Sequence, residues 1–407
     1  MSAPAINQDF TDVSSGKLAQ AFYIFILAFI QFSFITDYLV LLPLGPELIK
    51  TFQINPNHYS YLISGYTMSA AISGFFSSFI VDKIERKKAL LVCFSLFSVG
   101  AILCAYSVNF YMLLFARIYT GAFGGVLGSL IIIYLGDLLP VKLLGRATGT
   151  VMIANSLGSV VAVPGSIFLV QTFGWKFPFW ILFIMNLLVL LLATVFLPQL
   201  KKDFKSNTKD TKKVFAAITN PKYFWPLVFM SMLAFAGGAT ILPFLSTFVV
   251  TNLGFTTENL SMVFFFGGLA SMVMGPLAGM MIDRFGKQNV FLLLNFFSII
   301  PLILLTIYPL EDSVTVALMV TTMFFCFSTA RHVSGMTLIN SLFPKEIRGR
   351  FISMNGSIQL MAGSIATIVS GNILYTEDNL LMNFDIIGII GISATIICIF
   401  TAFIIEE

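Results

Sequence analysis

Hydrophobic residues fall into long blocks along this chain, and short polar segments separate the blocks. Two of the separating segments are alike, at residues 78–88 and 279–287. In each one a hydrophobic run ends in an aspartate, Asp82 or Asp283, and a cluster of basic residues follows. Blocks of about 20 apolar residues have the length of helices that cross the ~30 Å hydrocarbon core of a bilayer. The pattern therefore predicts membrane-spanning helices and a chain built from two similar halves.

The block boundaries predict twelve spans, numbered here in chain order. They lie at residues 20–44, 59–81, 88–107, 110–137, 146–170, 177–198, 223–250, 259–282, 288–308, 313–341, 350–374 and 381–405. A transmembrane β-barrel would instead show alternating segments of ~10 residues, and the sequence has none of these. We therefore predict an all-α polytopic membrane protein whose twelve transmembrane helices form two six-helix bundles.

One long polar segment joins the two groups of six spans and is rich in lysine. The domain organisation predicted from it is an N-terminal tail at 1–19, a first bundle at 20–198, a linker at 199–222 and a second bundle at 223–407. Of the 23 basic residues, only Lys50 and Lys176 fall in loops after odd-numbered spans. Basic loops stay in the cytoplasm, so we expect both termini and the linker on the cytoplasmic side of the cell (inner) membrane. The linker is either a solvated tether or a site for anionic lipid.

Matching segments recur at offsets of 200 to 204 residues along the chain. Residues 41–44 match residues 241–244, and the loop at 138–146 matches the loop at 342–350. Parallel repeats related by an axis along the membrane normal form one of the recognised architectures of secondary transporters. The repeat therefore favours a carrier with two pseudo-symmetric halves.

At these loops the chain resembles the major facilitator superfamily, and it does so over its whole length. The loop signature of that superfamily reads Gly-x-x-x-Asp-x-x-Gly-Arg-Lys/Arg, and Asp82, Arg86 and Lys87 match it, with Ser78 and Glu85 in place of the two glycines. The second copy of the signature is better preserved in its glycines. It keeps Gly279, Asp283, Gly286 and Lys287.

Two further motifs are similar to those of proton-coupled members. Arg117 and Gly121 match the Arg-x-x-x-Gly pattern of the fourth helix. In span five Gly149 and Gly158 have the spacing of the antiporter signature, while Pro164 lies one place later than in that signature. The chain is thus similar to drug:proton antiporters with twelve helices and to sugar-efflux relatives. This resemblance implies the major facilitator fold, alternating access and proton-coupled efflux.

The charged loops are candidates for gating the conformational change, on physical grounds and from the resemblance. An aspartate at a helix end can accept hydrogen bonds from a neighbouring helix N-terminus, and basic residues beside it can pair with groups on the opposite half. Such contacts would form in one conformation and break in another; the alternative is that the loops only set the topology. The residues predicted to gate the conformational change are Asp82, Arg86, Lys87, Asp283, Gly286, Lys287, Arg146 and Arg350.

Composition indicates a membrane protein and argues against a soluble domain, a metal site and an enzyme. The chain is 57% hydrophobic and 10% charged, whereas soluble domains average about 25% charged residues. All four cysteines lie inside hydrophobic blocks, which favours buried small side chains over disulfides or metal ligands. The sequence has no Gly-x-x-x-x-Gly-Lys-Ser/Thr loop and its two histidines lie far apart. We therefore expect no cofactor, no metal site and no enzymatic activity.

Asp37 in span one and Arg117 in span four are the strongest candidates for proton coupling. A charged side chain inside a membrane span costs at least ~2.5–3.5 kcal/mol, so it needs a functional or structural reason. Both residues are predicted roughly 10 Å below the outer surface, and this equal depth allows a mutual ion pair. The repeat places Gly237 and Thr321 at the equivalent positions. Asp37 is either a protonatable carrier, a fixed partner of Arg117, or a side chain that reaches the outer interface.

Arg331 and His332 lie nearer the cytoplasmic side of span ten. Adjacent residues of a helix point about 100° apart, so the two are expected on different faces. Arg331 is a candidate for binding an anionic or zwitterionic substrate, because arginine binds carboxylate or phosphate with two parallel donors. Alternatively it reaches an acid at the cytoplasmic rim. His332 is a candidate for substrate contact or proton relay.

Three buried amides complete the candidate substrate site. Asn155 in span five and Gln359 in span eleven occupy equivalent repeat positions, and Gln31 lies on span one. Such amides serve either as substrate contacts or as hydrogen bonds between helices.

These observations together predict a secondary active transporter that moves a small amphipathic or organic solute by proton-coupled efflux. The alternatives are a proton-symport importer of an organic anion, a lipid flippase, or a transport-inactive receptor on the same fold. Expected partners are a small-molecule substrate, protons and membrane lipids, with no nucleic acid. We expect the chain to act as a monomer.

Overall fold

The computed structural model describes residues 17–80, 84–139, 141–199, 224–308, 313–341 and 345–406. The helices are α1 Lys17–Val40, α2 Gly45–Phe52, α3 Pro56–Ile80, α4 Arg86–Tyr106, α5 Phe110–Leu138, α6 Val141–Leu157, α7 Val163–Phe173, α8 Phe177–Phe196, α9 Phe224–Phe235, α10 Gly238–Thr251, α11 Thr257–Phe285, α12 Lys287–Phe297, α13 Ile299–Thr306, α14 Val314–Ser341, α15 Lys345–Ile373 and α16 Phe384–Glu406. Two short strands, β1 Tyr375–Glu377 and β2 Leu380–Met382, lie between α15 and α16. Every predicted span coincides with a helix or with two helices in succession.

Helix ends in the connecting loops are set by local chemistry. The side chain of Asn109 accepts a hydrogen bond of 2.8 Å from the amide of Met112 at the start of α5, and Thr256 caps α11 in the same way. These caps satisfy amides that have no partner inside the helix. At the opposite ends of α7 and α11, Gly174 and Gly286 adopt φ values of 88° and 87°, which residues with a side chain rarely adopt. The chain can therefore reverse direction within a few residues.

Three spans are interrupted inside the membrane, which the sequence analysis did not predict. Span five contains a π-helical segment at Gly158–Ala162, just before Pro164, whose missing N–H perturbs the helical hydrogen bonds. Span seven breaks between α9 and α10, where Gly237 has φ 100°. Span nine breaks at Ser298, between α12 and α13. Broken helices leave backbone groups free at membrane depth, so these places can bind polar side chains.

Span one is longer than predicted. The sequence pattern ended it at residue 44, but a 3₁₀ turn at Leu42–Leu44 leads directly into α2, which continues to Phe52. Pro43 and Pro46 lie in the first turns of these segments, where a missing N–H breaks no hydrogen bond, so the prolines bend the chain without ending the span. Asp37 therefore lies farther from this end of span one than the predicted depth.

The loop between spans eleven and twelve forms an antiparallel hairpin that was also not predicted. Asp378 and Asn379 form its two-residue turn with φ values of 49° and 65°, and Asp and Asn tolerate this left-handed conformation. The side chain of Asn252, at the end of α10, clamps β2: its amide donates to the Leu381 carbonyl at 2.9 Å, and its oxygen accepts from the Leu381 amide at 3.0 Å. We call this face of the bundle the hairpin side and the opposite face, where α1 begins and α16 ends, the termini side.

Ten helical stretches of the described chain are long and apolar enough to cross a membrane. The remaining two predicted spans are α3 and α15, which carry many serines and pack against each other across the two halves. The hydroxyl of Ser364 on α15 donates to the carbonyl of Ser64 on α3 at 2.8 Å. Small and hydroxyl-bearing residues favour close helix packing in membranes. The lower hydropathy of these two spans thus reflects their contact with protein in place of lipid.

The hairpin-side ends of both halves share one hydrophobic core. It joins Leu42 and Tyr59 of the first half to Phe244 and Leu305 of the second, all fully or almost fully buried. The hydroxyl of Ser246 on α10 adds a hydrogen bond of 2.8 Å to the carbonyl of Leu42. Packing therefore seals the hairpin side.

The termini-side ends have separate cores. One cluster in the first half includes Leu27 and Phe94, and another in the second half includes Phe229 and Phe291. A third small cluster also belongs wholly to the second half, around Ala278. The two halves are thus joined at the hairpin side and independently packed at the termini side.

Within the first half, glycines allow α5 to cross α3 at very short range. A Cβ on Gly121 would collide with the carbonyl oxygen of Tyr66, and one on Gly125 would collide with the carbonyl oxygen of Ala70. Both obstacles are backbone atoms, which cannot rotate away. Gly136, on the same helix, has open space around its Cβ position.

We predict that Gly125→Ala lowers the melting temperature of the purified protein, because a side chain forced against the α3 backbone costs about 1–3 kcal/mol. Gly136→Ala is the matched control on the same helix and should leave stability unchanged or raised, since alanine favours helix. Thermal unfolding in detergent, followed by intrinsic fluorescence, measures both. Equal melting temperatures for the two variants would show that α3 and α5 are not in backbone contact.

Candidate functional site

A buried ion pair joins span one to span four. Nη1 of Arg117, on α5, lies 2.9 Å from Oδ2 of Asp37, on α1, and 3.3 Å from the Asp37 backbone carbonyl. The side chains of Arg117 and Asp37 are 0% and 1% exposed. Attraction between the two charges offsets much of the cost of removing each from water. The two residues that the sequence placed at similar depth are thus in direct contact.

Aromatic residues enclose the pair and leave part of its hydrogen-bonding capacity unused. The guanidinium carbon of Arg117 lies 4.4 Å from the centre of the Tyr66 ring, and Tyr38 packs on Tyr66 at 5.8 Å between centroids. Within the described part of the chain, Nε and Nη2 of Arg117, Oδ1 of Asp37 and the Tyr66 hydroxyl have no hydrogen-bond partner. A static structural ion pair normally satisfies all of its donors and acceptors. The Asp37–Arg117 pair can therefore form new hydrogen bonds through these atoms without first breaking others.

The second half lacks the equivalent pair. Gly237 stands at the repeat position of Asp37, and it forms the break between α9 and α10. Thr321 stands at the position of Arg117, and its hydroxyl donates to the carbonyl of Ala317 in its own helix at 2.8 Å. The charge pair is therefore a property of the first half alone at these positions.

Arg331 is buried inside the second half, with 2% of its surface exposed. Its Nη1 lies 3.3 Å from the hydroxyl of Ser298 and 3.5 Å from that of Thr395. Among the described residues no carboxylate lies within ion-pair distance of Arg331. Arg331 contacts neither an acid at the cytoplasmic rim nor solvent within the described chain. The alternative that it forms an ion pair at the rim is therefore wrong for the described residues.

Two helix breaks provide the environment of Arg331. Ser298 is the break in span nine, and Nη2 of Arg331 lies 3.6 Å from the point that a Cβ on Gly237 would occupy, at the break in span seven. Each break is both the end of one helix and the start of the next, so helix dipoles of both signs meet there. The hydrogen-bond partners of Arg331 in the described chain are the two hydroxyls, whereas Arg117 has a carboxylate.

The predicted amides lie in two hydrogen-bonded pairs, one in each half, and only Asn155 and Gln359 occupy equivalent repeat positions. Gln31 donates to Asn155 at 3.0 Å, joining α1 to α6. Gln359 lies 3.3 Å from Nδ1 of His332, joining α15 to α14. His332 is exposed while the adjacent Arg331 is buried, so the two neighbours do occupy different faces of α14. The structure brings these four polar side chains together in pairs and not as one cluster.

The first basic loop makes contacts within its own half. Nε of Arg86 lies 3.1 Å from Oδ2 of Asp137 on α5, and Lys87 donates to the carbonyl of Thr194 on α8 at 2.8 Å. In this conformation these contacts lie within the first half, and the gating role of Arg86 and Lys87 stays a prediction. Asp82 lies outside the described residues.

The other predicted gating residues are less constrained. Asp283 and Lys287 are exposed, and neither has a hydrogen bond or an ion pair in the ranges that the structure describes. Gly286 provides the tight turn between α11 and α12. Arg146 and Arg350 lie on α6 and α15, and their side chains fall outside the described part of the structure.

Sequence reasoning missed several partners of the candidate residues. Tyr66 contacts Arg117, and Asp137 contacts Arg86. Ser298 and Thr395 contact Arg331. The sequence could have identified Asp137, since it is an acid at the end of span four on the side of the basic loops. It could not have identified the hydroxyls or Tyr66, because such residues are common in all spans. No group of three or more potential metal ligands occurs among the described residues.

Comparison with known proteins agrees with this architecture. The family described as "Major Facilitator Superfamily" matches residues 27–371. Among curated relatives, "Multidrug resistance protein 2" of Bacillus subtilis (strain 168) is 22% identical over 258 residues, which are 61% of this chain and 64% of that protein. "Probable sugar efflux transporter" of Helicobacter acinonychis (strain Sheeba) is 24% identical over 266 residues, which are 65% and 66% of the two chains. The matched region thus spans about two thirds of each relative's length.

Solved structures show the same fold at low sequence identity. The crystal structure of a D-xylose-proton symporter superposes with a TM-score of 0.75 at 16% identity, covering 94% of this chain and 97% of that one. The nucleoside transporter NupG superposes with a TM-score of 0.77 at 16% identity, covering 96% and 100%. The twelve spans in two halves, the signature loops and the family match together lead to one conclusion. This chain belongs to the major facilitator superfamily.

Proposed function

We propose that this transporter exports a small organic solute by alternating access and that protons drive the export through Asp37. Membership of the superfamily establishes a transporter; the coupling ion, the direction and the solute belong to the proposal. The observation that carries it is the buried Asp37–Arg117 pair, which the second half lacks.

The ion pair supports proton coupling because protonation would change its partners. A protonated Asp37 no longer neutralises Arg117, so the guanidinium must find other acceptors or the helices must move. The unused atoms Oδ1 of Asp37 and Nη2 of Arg117 lie ready for such an exchange. Since α1 and α5 belong to one bundle, a change at their contact alters the shape of that bundle. One proton can thereby be linked to one conformational step.

The division of the hydrophobic cores supports alternating access. The shared core closes the hairpin side, while the halves pack separately at the termini side. The hydrogen bonds from Ser246 to Leu42 and from Ser364 to Ser64 cross between the halves and involve neutral groups, so breaking them leaves no unpaired charge. Rocking of the two halves about the site would then exchange the sealed and open ends.

The orientation proposed from the basic loops puts the termini side in the cytoplasm. In that orientation the shared core lies towards the outside and the separate cores lie towards the cell interior. The chain is proposed to act as a monomer in the cell membrane, with its two halves packed on each other through α3 and α15.

The solute class rests on the paired amides and on the relatives. The Gln31–Asn155 and Gln359–His332 pairs offer hydrogen bonds to a polar solute from both halves. The names of two relatives mention multidrug resistance and sugar efflux. A sugar and an aromatic organic cation are therefore the first solutes to test. Proton-driven uptake is the second candidate, because one structural neighbour is a proton symporter. Arg331 is assigned no direct solute contact, since its burial places it inside the second half.

We expect Asp37→Asn to abolish transport driven by a pH gradient, because asparagine cannot bind and release a proton. The assay uses proteoliposomes with an imposed pH gradient and either ethidium or a radiolabelled monosaccharide. Gradient-driven flux should fall at least about tenfold, the effect of roughly 1.4 kcal/mol, while exchange of solute without a gradient persists. The direction of flux relative to the gradient separates export from uptake.

Glu377→Gln is the matched control, because Glu377 is an exposed acid in the hairpin. It should transport like the unmodified protein. Undiminished gradient-driven flux in Asp37→Asn would overturn the carrier role of Asp37 and leave the ion pair as a structural contact.

A second prediction distinguishes Arg117 from Arg331, the two buried arginines that lie deep inside spans. Arg117→Met leaves Asp37 buried without its partner and should cost about 3–5 kcal/mol of stability unless Asp37 becomes protonated. Arg331→Met removes a charge that has no carboxylate partner in the described chain, so its stability should change little or rise. Thermal unfolding of both variants at neutral and acidic pH measures this.

The double variant Asp37→Leu with Arg117→Met should recover most of the stability that Arg117→Met loses, because no unpaired charge remains. Equal destabilisation by Arg117→Met and Arg331→Met would contradict this account of the two sites.

A further inference from the structure

A lipid-facing groove lies between α3 and α4 in the first half. Both helices pack against α5, but they barely contact each other in the described part of the chain, so α5 forms the floor of a wedge between them. The groove has a volume of about 450 Å³. Ile84 and Lys88 line its mouth near the termini side, and Ala122 and Phe123 line its deep end. Along α5 it extends from Leu130 to Ala122, roughly 12 Å of helix.

The groove is lined mainly by apolar side chains. Phe76 of α3 and Val92 of α4 are 57% and 49% exposed on its walls. The hydroxyls of Ser73 and Ser77 also line it, but they donate to carbonyls of their own helix at 3.2 and 2.8 Å. Such a surface holds no ordered water well, since water needs polar partners. In a bilayer the matching occupant is an acyl chain.

The mouth of the groove carries an unused positive charge. Three consecutive basic residues begin α4, and the first two are engaged: Arg86 with Asp137 and Lys87 with the carbonyl of Thr194. Lys88 is exposed, lines the groove, and has no hydrogen-bond or ion-pair partner among the described residues. The start of α4 adds the partial positive charge of a helix N-terminus. An anionic group bound here would meet the charge of Lys88 at the level where the apolar lining begins.

We propose that this groove binds one anionic phospholipid, with an acyl chain between α3 and α4 and its phosphate at Lys88. The positive charge of Lys88 together with the length of the apolar groove fits a molecule with an anionic head and an acyl chain. A free phosphate would leave the groove empty, and a neutral hydrocarbon would leave Lys88 unpaired. The site is separate from the Asp37–Arg117 pair and from the amide pairs. It does not depend on the proposed transport direction or on proton coupling.

Photolabelling of the full-length protein in phosphatidylcholine vesicles tests the site. The probe is phosphatidylglycerol with a photoreactive acyl chain, and a parallel arm uses phosphatidylcholine with the same chain. Peptide mass spectrometry should find the phosphatidylglycerol label on 84–93 and 122–130 more than on the exposed residues Leu187, Leu188 and Leu191 of α8. Lys88→Ala should lower labelling of the groove about fivefold, the effect of one lysine near an anionic lipid.

Lys287→Ala is the control, because Lys287 is an exposed lysine at the start of α12, the equivalent helix of the second half. It should leave labelling of the groove unchanged. Ala122→Phe, which fills the deep end, should remove the acyl-chain label while the melting temperature is retained. Labelling of the groove no stronger than that of α8, equal labelling by the phosphatidylcholine probe, or insensitivity to Lys88→Ala would each overturn the proposal.

Discussion

A buried ion pair in a membrane protein persists only if each charge neutralises the other, and the first half of this chain is built around such a pair. Asp37 and Arg117 hold α1 to α5 at 2.9 Å with almost no exposure to solvent. The Tyr66 ring of α3 covers the guanidinium, so three spans meet at one charge pair. Because removal of either partner would leave a lone charge in an apolar bundle, the contact between α1 and α5 depends on both charged side chains.

The second half buries Arg331 without a carboxylate partner among the described residues. Arg331 lies beside breaks in two spans, and its side chain contacts the hydroxyls of Ser298 and Thr395. These hydroxyls do not gain or lose a proton near neutral pH. The two halves therefore each bury an arginine, but within the described chain only Arg117 of these two arginines pairs with a carboxylate.

Sequence patterning predicted the twelve spans and the two halves, because long apolar blocks and a repeat of about 200 residues are properties of the chain itself. It also placed Asp37 and Arg117 at depths that allow contact. It did not predict the breaks at Gly237 and Ser298 or the continuation of span one to Phe52, since these depend on packing against neighbouring spans. Likewise the partners of Arg331 could not be predicted, because hydroxyls on other helices leave no mark in local patterning.

The shared hydrophobic core of the hairpin side makes the closure of that side depend on temperature. Any conformation that opens this side must expose Leu42, Tyr59, Phe244 and their neighbours to water. Burial of apolar surface has a large heat capacity, and its stabilisation weakens on cooling. A conformation that opened this side would lose that burial, and the part of the seal that comes from apolar contact is weaker in the cold than at moderate temperature.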